Sequence, residues 1–406
     1  PDETLGRAIV WQDLRTADLC TELRSQGIEP RLRAITGLPL STYFSGPKVR
    51  WLLDRDPALR AQAEAGTLRA ATIDSLALRY LADGAPHVTD PTNASRWQLL
   101  NLETLRWSEE AAGLLQLPLS LLPRIVPSSS RSGFGVTRAD GAFGASIPIT
   151  GVLGDQQAAL LGQGATRPGE GKCTYGTGCF LLVHTGTEIV QSSHGLLATV
   201  AASVEGSPPA YALEGSIAVA GSVVQWLRDE IGLIESANEI EPLAREVEDT
   251  SGVVFVPAFA GLFAPHWRPE ARGTIVGMTG YTRRAHLARA ALEGVALQVC
   301  DVLEAMKADR GAAGRTLTLR VDGGMSANDL LMQMQADFAA VEIQRSSQRE
   351  STALGAAFAA GLGAGLFESP QRLKELWQLD GRFVPELDTA ARETKLEAWR
   401  SAVAKA

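Results

Sequence analysis

Apolar residues recur at helical spacing, with charges between them, over residues 16–30 and 48–66, where Val49, Trp51, Leu52, Leu53 and Leu59 carry the stripe. A further helix is predicted over Ser75–Leu81, capped by Asp74 and stopped near Asp83-Gly84. Residues 127–145, rich in Ser and Gly, read as loop or hairpin. From Ser146 onward the pattern changes, and short β-rich runs alternate with helices. Strands are predicted over Ser146–Val152, Lys172–Tyr175, Cys179–His184, Val200–Val204, Ala210–Leu213, Val253–Ala258 and Leu317–Val321. Helices are predicted from Gly154-Asp155 through Gln163, and over Ala218–Ile231, His286–Asp309, Asn328–Phe338 and Thr352–Leu362, the last built of small residues suited to close packing. This alternation is an α/β pattern. Two strand–Gly–helix junctions, at 151–157 and 321–328, could face one ligand from two sides.

Composition narrows the function classes. A chain of 406 residues suggests two or three domains. With 45% hydrophobic and 21% charged residues it should bury a proper core. A net charge of -8 argues against a nucleic-acid or anionic-membrane partner, since both reward a basic face. Cys20, Cys173, Cys179 and Cys300 form no CxxC pair and no metal spacing, which predicts reduced thiols in a cytosolic protein. His194, His266 and His286 lack ligand spacing with Asp, Glu or Cys, so no metal site built on protein histidines is expected. No apolar run approaches the length of a membrane span.

Three segments carry candidate chemistry. Asp155 follows a glycine at a predicted helix start, where most Asp residues are simply caps. The same geometry suits a base, because a helix N-terminus favours the ionised carboxylate, and Gln156 could then hold a substrate hydroxyl. Thr174-Tyr175-Gly176-Thr177-Gly178 is a glycine turn that reads either as a hairpin loop or as a phosphate nest with the Thr177 hydroxyl. Asp322-Gly323-Gly324-Met325-Ser326-Ala327-Asn328 lies between a strand and a helix, where α/β folds place ligands. It is neither a Walker loop nor a dinucleotide fingerprint, and a structural turn and a nucleotide contact remain equally open. Trp11, Tyr43 and Phe180, taken singly, read as core aromatics.

Together these segments resemble the glycerol kinases of the FGGY carbohydrate kinase family, from about Arg7 to Val403. The resemblance rests on Ile9–Thr16, Tyr43–Trp51, Thr89–Arg96, Gly154–Leu160, Thr174–Phe180, Tyr211–Gly215, Val256–Pro269 and Arg320–Asn328. The spacing Gly273-x-Ile275-x-Gly277, leading to His286-Leu287 and Glu293, is similar to the family's second signature. The resemblance implies an α/β, actin-like ATPase (ribonuclease H-like) fold of two domains around a cleft, divided here as 1–162 and a nucleotide-binding 163–406. It implies the reaction of ATP with glycerol to give ADP and sn-glycerol 3-phosphate, with Mg2+, in a cytoplasmic homo-oligomer, a dimer or tetramer. Asp155 would be the general base. Tyr43 and Gln156 would contact glycerol hydroxyls, and Trp11 and Phe180 would wall its carbon side. Thr177 and Gly221 would bind ATP phosphates, with Gln225, Gly324 and Asn328 near the ribose and adenine. The alternatives are another FGGY sugar or polyol kinase, or a non-catalytic binding protein on the same fold.

Two departures from the family pattern carry expectations. Family members open with a loop of the Asp-Gln-Gly-Thr-Thr-Ser type, and an Arg-Glu pair that binds glycerol precedes the position of Pro1. Neither occurs in the chain, so the first domain is expected to lack its leading strands, and the polypeptide to be inactive or nearly so alone. In regulated bacterial members a Gly-Gly-Thr-Arg loop binds fructose 1,6-bisphosphate. Phe143-Gly144-Ala145-Ser146 stands there, without the arginine, so inhibition by that effector is not expected; nor is activation by histidine phosphorylation, since the region has no histidine.

Overall fold

A computed structural model describes residues 4–310, 318–348 and 350–406. The amino-terminal part is mostly helical: α1 (Ala17–Ser25), α2 (Glu29–Thr36), α3 (Ser45–Arg55), α4 (Pro57–Glu64) and α5 (Ile73–Leu81). The apolar stripes of α1–α4 meet Trp97, Leu99 and Leu115 in one core that includes Leu32, Leu40 and Leu53, while Leu78 of α5 packs with Val88, Val126 and Phe134. The helical spacing over 16–30 and 48–66 therefore resolves into pairs of helices. Gly37 closes α2 with a left-handed φ of 73°, and Asp56 caps α4 through Ala58 and Leu59.

Asp74 is not the cap of α5. Thr72 occupies that position, and Asp74, in the first turn, accepts a 2.5 Å hydrogen bond from the Thr89 hydroxyl. The β-rich run Ser146–Val152 forms no strand either. Only isolated bridges, Pro148 to Val136 and Gly151 to Ser129, tie it to its neighbours.

The carboxy-terminal part is built on a seven-stranded mixed sheet. Its strands are β1 (Glu170–Tyr175), β2 (Cys179–Gly186), β3 (Leu197–Ala202), β4 (Ala210–Ile217), β5 (Thr318–Asp322), β6 (Glu342–Ser346) and β7 (Leu379–Phe383). The order is β7-β6-β5-β1-β2-β4-β3. Pairing is parallel between β1, β5 and β6 and antiparallel outward from them. The expected strand over Leu317–Val321 is β5; Leu317 itself lies outside the described residues. Val254–Val256 is shorter than the predicted 253–258 and pairs with Thr274–Val276 away from this sheet.

Helices pack on the sheet: α6 (Asp155–Gly162), α7 (Gly221–Asp229), α8 (Arg284–Arg310), α9 (Asp329–Ala339), α10 (Ser351–Ala364) and α11 (Thr389–Val403). The largest core joins Leu181, Val183 and Leu213 of the strands to Val223, Val295, Val299, Leu331 and Trp399 of the helices. α6 and α10 cross at glycines, and a Cβ at Gly355 would fall inside the carbonyl of Ala158. The two parts lean on each other along β3 and β4. There Arg96 pairs with Glu214, and the Tyr211 hydroxyl donates to the Leu102 carbonyl at 2.7 Å.

Candidate active site

Asp155 is the first residue of α6, and Gly154 is its cap. The carboxylate is exposed and does not occupy the cap position. It accepts only from the adjacent Gln156, at 2.8 Å from the backbone N–H and 3.3 Å from the side-chain amide. The capping explanation for an Asp after Gly therefore fails here. The helix start is fixed from outside instead. The Gly154 N–H donates to the Thr92 hydroxyl at 2.7 Å, and Thr92 donates in turn to the buried carboxylate of Asp90. Asp90 also accepts from Ser128 and from the backbone of Thr92 and Asn93; burial pushes its carboxyl pKa up, against these bonds.

Trp11, Tyr43 and Phe180 come together although they lie far apart in the chain. The Trp11 ring stands edge-on to Tyr43 at 5.3 Å and to Phe180 at 6.2 Å between centroids. Taken singly they read as core residues, while the resemblance set them around one ligand; the structure brings the three rings together and leaves Trp11 exposed rather than in the core. Behind it, Arg96 forms a bidentate pair with Glu214, 2.8 Å at each contact, and lies 5.6 Å from the Tyr43 ring. Burial pushes the Tyr43 hydroxyl up to about 12, so it stays neutral and can donate. Burial opposes the charge of Arg96, but Glu214 and Tyr43 more than offset it and its pKa is raised. Arg96 lay within a recognised stretch without a role, and its partner sits 118 residues away, so no local signal marks the pair.

Gln156 is held as well. Its side-chain oxygen accepts from the ammonium of Lys172, which also donates to the Thr174 hydroxyl and the Phe180 carbonyl at 3.1 Å each. Lys172 sits on β1, fully enclosed, and was not singled out from the sequence.

β1 leads directly into the second site. β1 and β2 form a hairpin with Tyr175 opposite Cys179, leaving Gly176-Thr177-Gly178 as the loop. The loop is pinned to the start of α7: the N–H groups of Ala220 and Ser222 donate to the Thr177 carbonyl, and that of Gly221 donates to Gly176. A side chain at Gly221 would come within 2.6 Å of the Gly176 carbonyl, so the close approach needs glycine there. Thr177 is left exposed, with its carbonyl engaged.

A cavity of about 500 Å³ opens on this loop. Its walls include all five residues expected around a nucleotide: Thr177, Gly221, Gln225, Gly324 and Asn328. The Asn328 oxygen is committed as the cap of α9, accepting from the Leu331 N–H at 2.8 Å, which leaves its NH2 for a ligand. Arg228, Asn238 and Glu241 also line it. The sequence did not mark Asn238 and Glu241, because segment 237–241 is no strand–Gly–helix junction and reaches the cavity only through folding, nor Arg228, which lies within a predicted helix. Among the described residues, no three His, Cys, Asp or Glu side chains converge as a metal site. No described helix is long and apolar enough to cross a membrane.

Comparison with known proteins follows this geometry. Residues 1–162 match the N-terminal domain of the FGGY family of carbohydrate kinases, and residues 171–364 match its C-terminal domain. Both domains of the family are represented in this chain, so the expectation that it lacks the family's N-terminal segment is not borne out by this comparison. A glycerol kinase of Thermus brockianus is 54% identical over 403 residues, covering 99% of this chain and 80% of the relative. One from Beijerinckia indica subsp. indica is 51% identical over 404 residues, covering 98% and 79%. The crystal structure of Plasmodium falciparum glycerol kinase with ADP superposes with a TM-score of 0.92 at 38% identity, covering 99% of this chain and 79% of that one. This likeness bears out the two-domain actin-like fold. A xylulose kinase from Lactobacillus acidophilus shares the fold at a TM-score of 0.84 and 21% identity, over 100% and 80% of the two chains.

Proposed function

This chain belongs to the FGGY family of carbohydrate kinases, and we propose that it transfers the γ-phosphoryl group of ATP to glycerol, giving sn-glycerol 3-phosphate. The observation that carries this is the pairing of a free carboxylate, Asp155, with a three-ring aromatic wall, one strand away from a glycine-lined cavity. A three-carbon polyol offers little apolar area, so its recognition needs satisfied hydroxyls against a tight wall.

In this reading Asp155 takes the proton of the attacking hydroxyl as general base. Tyr43 and Gln156 hold glycerol oxygens, and Trp11 and Phe180 cover its carbons. Thr177 and Gly221 hold ATP phosphates, with Gln225, Gly324 and Asn328 around the ribose and adenine. Transfer then depends on position and on stabilising charge rather than on covalent chemistry with the protein. The boundary between the two domains falls at residues 162 and 163.

Magnesium belongs to the same proposal. An ion that keeps several waters and rides on substrate phosphates needs one or two carboxylates and no protein cage. Asp155, exposed and acceptor-only when ionised, is a carboxylate at hand. Bound there, magnesium would neutralise phosphate charge. We place the enzyme in the cytoplasm, where ATP is supplied and its four buried cysteines stay as the free thiols they are here. We take it to be a homo-oligomer, which light scattering tests. A coupled ADP-release assay with glycerol, xylulose, ribulose and gluconate tests the main reading. Turnover should be fastest with glycerol; preference for a ketose would transfer the assignment to another kinase of the family.

A further inference from the structure

Lys172 is the one fully enclosed lysine of the described residues, and it touches the site from behind. An ammonium has three donors and no acceptor. Its three hydrogen bonds reach three different elements: Gln156 of α6, Thr174 of β1 itself and Phe180 of β2. Two of these partners, an amide oxygen and a backbone carbonyl, can only accept, which matches the protonated amine. Burial lowers its pKa, while the carboxylates of Asp322, Glu214 and Asp155 and the Cys173 thiol act against that shift. Asp322 and Glu214 are already engaged, the first by Gln163 and Ser351, the second by Arg96.

The consequence falls on Gln156. Because Lys172 can only donate, it must hold the amide by its oxygen. The NH2 is then turned toward Asp155, which it meets at 3.3 Å. We propose that Lys172 is a positioning residue of this site, fixing the Gln156 amide so that it presents only donors to the substrate. This rests on the glycerol kinase reading above. It gives the attacking hydroxyl complementary partners: its proton goes to Asp155, and its oxygen accepts from Gln156. With the amide reversed, Gln156 would compete with Asp155 for that proton.

The test uses the full chain, with ATP and glycerol. Lys172→Met keeps the bulk and removes the donor. It should raise KM for glycerol by about 10-fold, roughly what one hydrogen bond supplies, with KM for ATP unchanged. Gln156→Met should do the same, and the double variant should be no worse than either single one. An unchanged glycerol KM in Lys172→Met, or fully additive losses, would overturn the proposal. Gln156→Glu guards against a variant that does not fold: it keeps an acceptor for Lys172 but has no NH2, so it should melt like the parent and still lose glycerol affinity. Full affinity in that variant also refutes the idea. Should the parent chain show no turnover at all, a crystal structure of Lys172→Met still judges Lys172. Gln156 should leave its rotamer, and an unmoved Gln156 counts against the proposal.

Discussion

Asp155 carries a carboxylate that its helix does not need, since Gly154 is the cap and Thr92 holds the helix start. Removing the charge should therefore cost chemistry and little stability. Asp155→Asn is expected to lower kcat by about 100- to 10,000-fold, the usual weight of a general base, with the affinity for ATP and the melting temperature retained. Near-parental turnover in a steady-state assay would remove Asp155 from the mechanism. Arg96 is the opposite case. Its partner Glu214 is fully enclosed, so Arg96→Met leaves a buried carboxylate unpaired. Breaking such a pair costs about 3–5 kcal/mol, which denaturant unfolding would measure; a loss within the error of that method would mean Glu214 finds another partner.

At the scale of elements, the packing of α6 sets the position of the candidate base. Its first turn carries Asp155 and Gln156, and its later residues pack on α10 at backbone contact distance, where Gly162 and Gly355 face each other. A methyl group at Gly355 has no side chain to push aside, only the Ala158 backbone. Gly355→Ala is thus expected to cost about 1–3 kcal/mol by overpacking, and to lower turnover by shifting α6. Thermal unfolding alongside kcat would show it; a variant as stable as the parent would mean the helices slide apart without cost. The run of small residues over 352–362 signalled this close packing in the sequence. Its partner helix was not signalled, because close approach depends on two distant glycines meeting.

For the whole molecule, charge decides a regulatory question. The exposed stretch Phe143-Gly144-Ala145-Ser146 offers no cation, and the nearby Arg138 is paired with Asp140 at 3.0 Å. A bisphosphate would find no charge-assisted grip there. Turnover is expected to be independent of fructose 1,6-bisphosphate, and a dose-dependent fall in rate would contradict it.

What the sequence determined by itself was the alternation of strands and helices, expected from Ser146 and found from α6 onward, and the local motifs. Apolar periodicity and glycine turns act over a few residues, so they are legible without the fold. The boundaries failed where local signals conflict: Asp74 lost the cap to Thr72, and Ser146–Val152 found no partner strand. Only the tertiary structure decided that Trp11, Tyr43 and Phe180 form one wall, that Arg96 finds Glu214, and that Lys172 holds Gln156. Those contacts join residues 16 to 169 positions apart. No periodicity or motif encodes such pairings, because they are set by how the sheet order and the helix crossings bring distant segments side by side.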